Sequence, residues 1–516
     1  MSIIDDTKPA PGGRAAAEGA LLARLASPAA TAALLVAAIA GQAAGHIDSD
    51  VSWFITLAEK FLSGTLLYDR GDIVEPNPPL SFLSLVPAVA LAQALHIPAE
   101  AALAALVFFG ALASLGLCAF VLGYGAARER LEQRLLLNGA IWLLLLSPAL
   151  VFAQREHLAL IALAPLLARF SLDRDARPVP LAVSALLGVS AGLGVAFKPF
   201  FGLAVALPAL AFAWRRRSIR ALFSAELLAC GACLALYVAA VGWFFPGYVA
   251  RIVPFGVDVY SPAHESLETL ATQTLLPAYA AIFCAFLVFA RGAPRGGLSQ
   301  TVFWASAGFF LSFLLQRKGW LNHAFPGLAL LLFSWLALLV EELRRPRKHA
   351  RLSASLVKFA FAPALIAAPF FFGAARQWAN MEEYPGLRAA VADHAPAHPR
   401  LIALAFNCNV GHPLTRQLEG VWVGRPCSLW TSSYVGRLLE TGAAADPAWQ
   451  ARLVAYRHAD LAAFAEDVEA GRADAVIVES AALRDWAAAR PELAGVLAPF
   501  EKAAVAGEVE VWTRRR

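Results

Sequence analysis

The sequence predicts a mainly α-helical, polytopic membrane protein of about 11–13 transmembrane helices, followed by a small soluble α/β domain at the C-terminus. Three observations support this prediction. Of the 516 residues, 59% are hydrophobic and only 16% are charged, with a mean hydropathy of +0.59. Apolar runs of about 18 residues or more recur, each long enough to cross ~30 Å of hydrocarbon as a helix. After about residue 373, charged residues, prolines and short β-like runs replace the apolar runs.

A polar N-terminal tail, residues 1–27, precedes a membrane module at 28–374. The first apolar run is longer than a typical signal-peptide core, so we expect it to be retained as a span. The module contains a first outer loop at 46–79. Spans are predicted at residues 28–45, 101–124, 136–153, 157–170, 179–197, 199–214, 222–245, 271–290, 299–315, 323–340 and 354–374.

Basic residues concentrate in alternate turns, and this distribution predicts the orientation of the chain. The turns at 128–134, 169–177, 215–220, 291–295 and 344–351 are rich in arginine and are expected in the cytoplasm. The turns between them hold the acidic and polar clusters. Eleven crossings then place the N-terminus in the cytoplasm and the C-terminal domain in the periplasm, as in a bacterial inner-membrane protein.

The apolar segment 80–96 breaks this parity, because a full crossing there would move the arginine-rich turn at 128–134 to the outside. We interpret the segment as a re-entrant or interfacial helix. The net charge of +5 lies mostly in short loops, so it is read as an orientation signal rather than as a nucleic-acid-binding surface.

The last part of the chain, residues 375–516, is predicted to be an α/β domain on the outer side. Short β-like runs lie at 401–406, 475–479 and 508–512, and helical patterns lie at 459–470 and 483–489. Strands and helices that alternate in this way are typical of an α/β fold.

The first outer loop opens with two aspartates, Asp48 and Asp50, and continues into an amphipathic helix expected to lie in the membrane interface. An aspartate just beyond the end of a span stays ionised and can face a cavity at membrane level. A general base that acts on a lipid-borne substrate needs both an ionised carboxylate and access to such a cavity. The alternative interpretation is that the two aspartates cap the helix at 51–62.

The order of motifs in this loop resembles the first periplasmic loop of the GT-C superfamily, the polytopic glycosyltransferases that use lipid-linked sugars. The resemblance is to the arabinosyl-, mannosyl- and aminoarabinose-transferase group. It is detailed over residues 46–80 and loose over the rest of the chain. Many members have Asp-Glu where this chain has Asp50-Val51, which leaves open whether Asp48 or Glu75 replaces the missing acid. The matching motifs are Asp50, Leu62-x-Gly64, Tyr68-Asp69 and Glu75-x-Asn77-Pro78-Pro79.

The resemblance implies a mainly α, GT-C-like fold and an inverting transfer of a sugar from a polyprenyl-phosphate carrier to a glycan, lipid or protein acceptor. It also implies that an aspartate in this loop deprotonates the acceptor hydroxyl. We assign that role to Asp50, with Asp48 as the second candidate. Glu75 and Asn77 are expected to orient the loop or the sugar.

A departing polyprenyl phosphate develops negative charge, which positioned cations stabilise. Several cationic or titratable side chains lie in short turns on the outer side, which should be poor in basic residues. The alternative interpretation for each is a long side chain that snorkels to the membrane interface. The residues predicted to contact the phosphate are Arg155, His157, Lys198, Arg317, Lys318 and His323.

Two further interpretations stay open. The spacing of His46, Asp48 and Asp50 is compatible with a divalent cation such as Mg²⁺ or Mn²⁺, although no metal ligand is assigned. Cys408 and Cys427 both lie in the outer domain, where an oxidising compartment would allow a disulfide.

The sequence lacks a phosphate-binding glycine loop, a Rossmann fingerprint and a serine nucleophile elbow, which argues against direct use of a nucleotide sugar by a soluble domain. The predicted function is therefore transfer of a sugar from a polyprenyl-phosphate carrier to an envelope acceptor at the periplasmic face. Alternatives are a transporter or flippase, a ligase or polymerase of lipid-linked glycans, and a non-catalytic assembly or sensor protein. The span interiors contain almost no ionisable groups, which disfavours a transporter.

Overall fold

The computed structural model describes residues 19–65, 68, 74–126, 128–173, 175–292, 297–343, 350–380 and 383–515. Most of the predicted N-terminal tail lies outside this range. So do Asp69 of the loop motif and several arginines of the predicted cytoplasmic turns, among them Arg174, Arg295 and Arg344.

Helical segments occupy all eleven positions at which spans are predicted, because the apolar runs leave the backbone no partner other than itself. The helices of the membrane module are α1 Gly19–Leu25, α2 Pro28–Ala44, α3 Ser49–Leu62, α4 Leu80–Leu83, α5 Val86–Leu95, α6 Ala99–Leu122, α7 Arg130–Ile141, α8 Arg155–Phe170, α9 Leu181–Ala196, α10 Gly202–Arg216, α11 Ala225–Phe244, α12 Val253–Phe255, α13 Leu267–Thr272, α14 Leu275–Phe289, α15 Leu298–Gln316, α16 Leu321–Leu343 and α17 Ala350–Ala379.

Among the described residues, four helices are long and apolar enough to cross a membrane individually, and a fifth is added if the bent pair α1–α2 counts as one span. The four are α6, α11, α15 and α16. The predicted span at 136–153 is divided into α7, a π-helical turn at Trp142–Leu146 and a 3₁₀ turn at Ala149–Val151. The mainly α, polytopic architecture is thus confirmed.

Two glycines one turn apart on α9 allow close packing against α11. A Cβ atom at Gly188 would clash with the carbonyl oxygen of Glu226, and one at Gly192 would lie 2.7 Å from the Cβ of Cys233. Small residues at this spacing let two membrane helices approach at backbone distance.

Helix α3 is more buried than its amphipathic pattern predicts. Its residues 49 and 51–58 are all buried, including Trp53 and Phe54. One side packs on α5 and the other meets a segment of the C-terminal domain, Cys408–Val410. The C-terminal domain thus covers one face of α3, a contact that the amphipathic pattern did not predict.

The segment predicted as re-entrant or interfacial consists of α4 and α5, separated at Ser84–Leu85. At 1.5 Å per residue, the 16 residues of Leu80–Leu95 measure about 24 Å, which is shorter than the ~30 Å hydrocarbon core. Helix α5 then packs along α6.

The C-terminal part contains one five-stranded sheet with strand order β2-β1-β3-β5-β4. The pairs β2–β1 and β1–β3 are parallel, and β3–β5 and β5–β4 are antiparallel. The central strand β3 is buried at every position, so it forms the core beneath the flanking helices. The elements are α18 Leu387–His394, β1 Arg400–Leu404, α19 Leu414–Gln417, β2 Val421–Trp422, α20 Trp430–Glu440, α21 Pro447–Ala470, β3 Ala475–Val478, α22 Ala481–Ala488, β4 Phe500–Ala506 and β5 Val509–Arg514.

Charged contacts fix this domain onto the membrane module. The guanidinium of Arg416 donates to both carboxylate oxygens of Glu59 on α3, each at 2.9 Å, and to Glu100 on α6 at 2.5 Å. Lys60 donates to the carbonyl oxygen of Gly424 at 2.7 Å. Glu59 and Lys60 lie about three turns beyond the first residue of α3, so these contacts hold the far part of the helix, while its first turn borders a cleft between the domain and the module.

Candidate active site

A cleft of about 1,030 Å³ separates the C-terminal domain from the helix ends of the membrane module. Segments from all parts of the chain contribute to its walls. The lining residues are 48–50, 53–54, 75–77, 150–151, 154–155, 260, 320–322, 373, 376–377, 380, 383, 406–409, 427–428, 430 and 433–434.

Asp50 lies in the first turn of α3, and its side chain is 38% exposed to the cleft. Its Oδ2 accepts a hydrogen bond from the guanidinium of Arg155 at 2.8 Å, although the two residues are 105 positions apart. Negative charge in the first turn of a helix is favoured by the helix dipole. Arg155 therefore holds the carboxylate in one orientation, while more than a third of the side chain stays accessible to a molecule bound in the cleft.

Arg155 is the first residue of α8 and is only 4% exposed. Its guanidinium lies over the ring of Phe54, 4.9 Å from the centroid, and within the described part of the chain its Nε is buried without a hydrogen-bond partner. The N–H groups of the first helical turn also lack acceptors within the helix. A buried, incompletely paired arginine at a helix N-terminus is a site suited to an anion.

Asp48 is the N-cap of α3, and its Oδ1 accepts a hydrogen bond from the backbone N–H of Asp50 at 2.9 Å. Burial, together with the neighbouring charge of Asp50, raises the pKa of its carboxyl to about 8 against the weaker opposing effects of backbone hydrogen bonds and Arg155. The hydrogen bond from the Asp50 N–H is the helix cap that the sequence left open as the alternative interpretation of Asp48. Asp48 nevertheless lines the same cleft as Asp50.

We expect Asp48→Asn to stabilise the protein increasingly as the pH rises from about 5 to 8. The raised pKa means that the folded state binds a proton that the unfolded chain releases near pH 4, so the wild type loses stability across this range. One proton corresponds to at most ~1.4 kcal/mol per pH unit, and the half-buried position of Asp48 reduces that figure. Asparagine caps a helix as well as aspartate. Thermal unfolding in detergent at several pH values measures the difference, and a difference that stays constant from pH 5 to 8 would contradict the expectation.

Glu75 and Asn77 form one buried unit in the loop before α4. A single oxygen of Glu75 accepts from the backbone N–H of Asn77 at 2.9 Å and from its carboxamide at 2.6 Å, and the other accepts from the indole N–H of Trp53 at 2.9 Å. Burial raises the pKa of Glu75, and these hydrogen bonds partly oppose the rise. The arrangement fits the predicted role in orienting the loop.

Lys198 and His323 lie behind the cleft wall. Both contact Glu156, the residue that follows Arg155 in α8. The ammonium group of Lys198 lies 2.6 Å from Glu156 Oε1 and 2.8 Å from His323 Nε2, and all three side chains are at most 6% exposed. None of the three lines the cleft. They form a buried ionic cluster that supports the first turn of α8 rather than a surface that a ligand touches.

The ring of His157 does not reach the cleft. Its Nδ1 accepts from the backbone N–H of Ala153 at 3.0 Å, and its Nε2 lies 2.7 Å from the carbonyl oxygen of Leu144. Both nitrogens are thus used to fix the chain before α8, and the predicted contact between His157 and a phosphate does not fit this geometry.

Of the two cations after α15, the side chain of Lys318 serves other contacts, while the contact of Arg317 is made by its main chain. The carbonyl oxygen of Arg317 accepts from the backbone N–H of Glu265 at 2.7 Å. The ammonium group of Lys318 donates to the carbonyl oxygen of Tyr260 at 2.7 Å and lies over the Tyr260 and Tyr434 rings. Burial lowers the pKa of Lys318 to about 7. Neither residue lines the cleft, so Arg155 is the one predicted phosphate ligand that does.

Residues that sequence reasoning did not select make up much of the cleft. Asn409 accepts from the Ser49 hydroxyl at 2.5 Å and donates to Glu383 at 2.6 Å, so it links the C-terminal domain to the residue before Asp50. Trp430 and Tyr434 add aromatic surface from α20. The sequence around these positions contains no motif, and only the packing of α20 against the membrane module makes them part of the site.

The possible metal ligands do not converge. Asp48 caps α3 and Asp50 pairs with Arg155, and among the described residues no group of three or more His, Cys, Asp or Glu side chains is arranged to hold a metal ion. Cys408 and Cys427 both line the cleft as free thiols.

The chain is similar in fold to ArnT from Cupriavidus metallidurans, in a crystal structure bound to undecaprenyl phosphate. The TM-score is 0.52 with 14% sequence identity, and the alignment covers 93% of this chain and 96% of ArnT. The arabinofuranosyltransferase AftD from Mycobacteria, solved by cryo-electron microscopy, has a TM-score of 0.41 and 16% identity, over 94% of this chain and 40% of AftD. No protein-family model and no curated protein sequence matches. The likeness to ArnT confirms the predicted GT-C-like fold.

Proposed function

We propose that this polytopic membrane protein with a GT-C-like fold is a glycosyltransferase that moves a sugar from a polyprenyl-phosphate carrier to an acceptor hydroxyl. The observation that supports the proposal most strongly is the pair of Asp50 and Arg155 at the cleft between the membrane module and the C-terminal domain. A base and an anion-binding group lie side by side there, as this reaction requires.

Arg155 is assigned to the donor phosphate. The ArnT crystal structure contains undecaprenyl phosphate, and a polyprenyl-phosphate donor is the corresponding ligand class for this chain. The guanidinium has a planar fork that matches phosphate oxygens, and its buried Nε has no hydrogen-bond partner among the described residues. The Glu156, Lys198 and His323 cluster holds the turn that presents it.

Asp50 is assigned the role of general base. It removes the proton from the acceptor hydroxyl as that oxygen attacks the anomeric carbon of the sugar. The bond between the anomeric carbon and the phosphate oxygen breaks, and its electron pair stays on the phosphate, whose charge Arg155 stabilises. One displacement with no enzyme-bound intermediate inverts the configuration at the anomeric carbon.

The reaction is placed at the periplasmic face of a bacterial inner membrane. The distribution of arginine supports this placement, because the turns on the opposite side of the predicted topology carry most of the basic residues. The acceptor is then a glycan, lipid or protein of the cell envelope.

Mass analysis of lipid extracts tests the proposal directly. A strain that lacks the protein is expected to accumulate a polyprenyl-phosphate sugar and to carry an envelope glycan or lipid that is one sugar short. Expression of the wild-type chain should reverse both changes. Identical lipid-linked sugars and identical envelope glycans in the two strains would contradict the proposed activity.

A further inference from the structure

We propose that the acceptor of this transferase is a neutral, polyhydroxylated glycan that binds to the wall of the cleft formed by the C-terminal domain. This inference rests on the proposed function and specifies its acceptor. The part of the wall meant here consists of residues 406–409, 427–428, 430 and 433–434, and it is called the roof below.

The roof contains no charged side chain. It combines carboxamides, hydroxyls, thiols and aromatic rings. An acceptor that carried a phosphate or a carboxylate against this surface would lose hydration without gaining an opposite charge, which is costly. A sugar hydroxyl both donates and accepts hydrogen bonds, so carboxamides and hydroxyls match it in either direction.

Aromatic surface on the roof is held in place by neighbouring rings. Trp430 is half-buried, and its ring lies 5.5 Å from those of Phe255 and Tyr434 in edge-on contact. Tyr260 approaches Trp430 from the membrane module at 6.1 Å. Fixed rings of this kind offer a flat apolar face to the C–H groups of a sugar and lose little conformational entropy on binding.

The polar groups of the roof are also fixed. The carboxamide nitrogen of Asn407 donates to Glu479 at 2.6 Å, which leaves the carboxamide oxygen as an acceptor. The Ser428 hydroxyl donates to the carbonyl oxygen of Phe406 at 3.0 Å, so its lone pairs can accept. Groups whose orientation is set by the protein favour a ligand with hydroxyls at defined positions over a flexible apolar chain.

The charges on the rest of the cleft disfavour a second anion beside the donor phosphate. Arg155 is committed to Asp50 and the donor, and Arg376 is exposed on α17. Four carboxyl groups line the same cleft, on Asp48, Asp50, Glu75 and Glu383. Because the donor phosphate occupies Arg155, the exposed Arg376 is the one cation among the lining residues that is left to pair with a second anion.

The size of the cleft also fits two polar ligands. Its volume of about 1,030 Å³ lies at the upper limit of the ~300–1,000 Å³ that typical small-molecule pockets occupy. A sugar phosphate at Arg155 leaves room along the roof for the terminal residues of an acceptor chain.

An array of neutral, uronic-acid-containing and phosphorylated oligosaccharides, probed with the full-length protein in lipid nanodiscs, tests the inference. We expect binding to neutral oligosaccharides. Trp430→Ala should weaken that binding by about threefold to tenfold, whereas Trp430→Phe should retain most of it because the ring contacts persist. Trp243→Ala is the matched control, since Trp243 is 82% exposed on α11 and does not line the cleft.

Binding confined to acidic or phosphorylated glycans, or to no glycan on the array, would overturn the inference, and so would full binding by Trp430→Ala. Binding of undecaprenyl phosphate to each variant reports that the fold is intact. The two proposals fail separately. Accumulation of a lipid-linked sugar together with a phosphorylated acceptor would refute the neutral acceptor alone. Neutral-glycan binding with unchanged lipid-linked sugars in the deletion strain would refute the transfer reaction alone.

Discussion

Transfer by the Asp50→Asn variant is expected to fall by roughly 10²–10⁴-fold, the range that removal of a general base produces. The substitution keeps the size of the side chain and leaves a carboxamide oxygen that can still accept the hydrogen bond from Arg155. It removes only the ability to take a proton from the acceptor hydroxyl. The turnover number should therefore collapse while binding of the donor carrier stays within a few fold. The measurement is transfer from a polyprenyl-phosphate sugar in nanodiscs, with binding of undecaprenyl phosphate measured separately.

The control is Asp393→Asn, an aspartate on the exposed side of α18 that should have no effect. Asp50→Asn leaves the buried guanidinium of Arg155 with a carboxamide oxygen as acceptor but without its charge partner, so a modest loss of thermal stability is expected and is measured in parallel. Full transfer activity in a normally expressed Asp50→Asn protein would exclude this residue as the base. Comparison with Asp48→Asn then decides between the two aspartates.

The helices of this chain could be predicted because apolar runs in a membrane have few alternatives. The sheet was only partly predictable. Strands β1, β3 and β5 overlap the β-like runs at 401–406, 475–479 and 508–512. Strand β4 was not predicted, because the sequence around Ala503 and Ala504 is rich in alanine, which favours a helix over a strand. The segment becomes a strand through its pairing with β5. Strand β2 has two residues and depends on its parallel contact with β1.

The sequence could predict the part of the site that depends on which end of the membrane helices a residue lies at. Alternating basic turns placed Asp50 and Arg155 at the same end of the helices, and the structure brings them into contact. The sequence could not show which side chains hydrogen-bond to nearby backbone groups instead of facing the cleft. His157 and Lys318 have the chemistry of phosphate ligands, but carbonyl and amide groups of nearby turns already occupy them. Those contacts depend on irregular turns whose conformation no periodic pattern encodes.

Replacement of Arg155 is expected to produce the second large loss. Arg155→Gln should lower kcat/KM by roughly 10²–10³-fold, because it removes the cation that stabilises the departing phosphate and that pairs with Asp50. Arg155→Lys should recover part of the activity, since an ammonium group supplies the charge without the bidentate geometry. Steady-state kinetics with increasing donor concentration measure the effect, and Arg220→Gln, an exposed arginine of a basic turn, is the matched control.

The Arg155 variants also separate two explanations of the ion pair. If Arg155 only positions Asp50, its loss should have no further consequence in an Asp50→Asn background, and undecaprenyl phosphate should bind as before. If Arg155 contacts the donor phosphate, binding of undecaprenyl phosphate should weaken at least tenfold in both backgrounds, because loss of a charge-assisted contact costs about 1.5–3 kcal/mol. We expect the second result. The buried Nε, which has no hydrogen-bond partner in the part of the chain that the structure describes, and the open first turn of α8 are features that a purely positioning residue would not need.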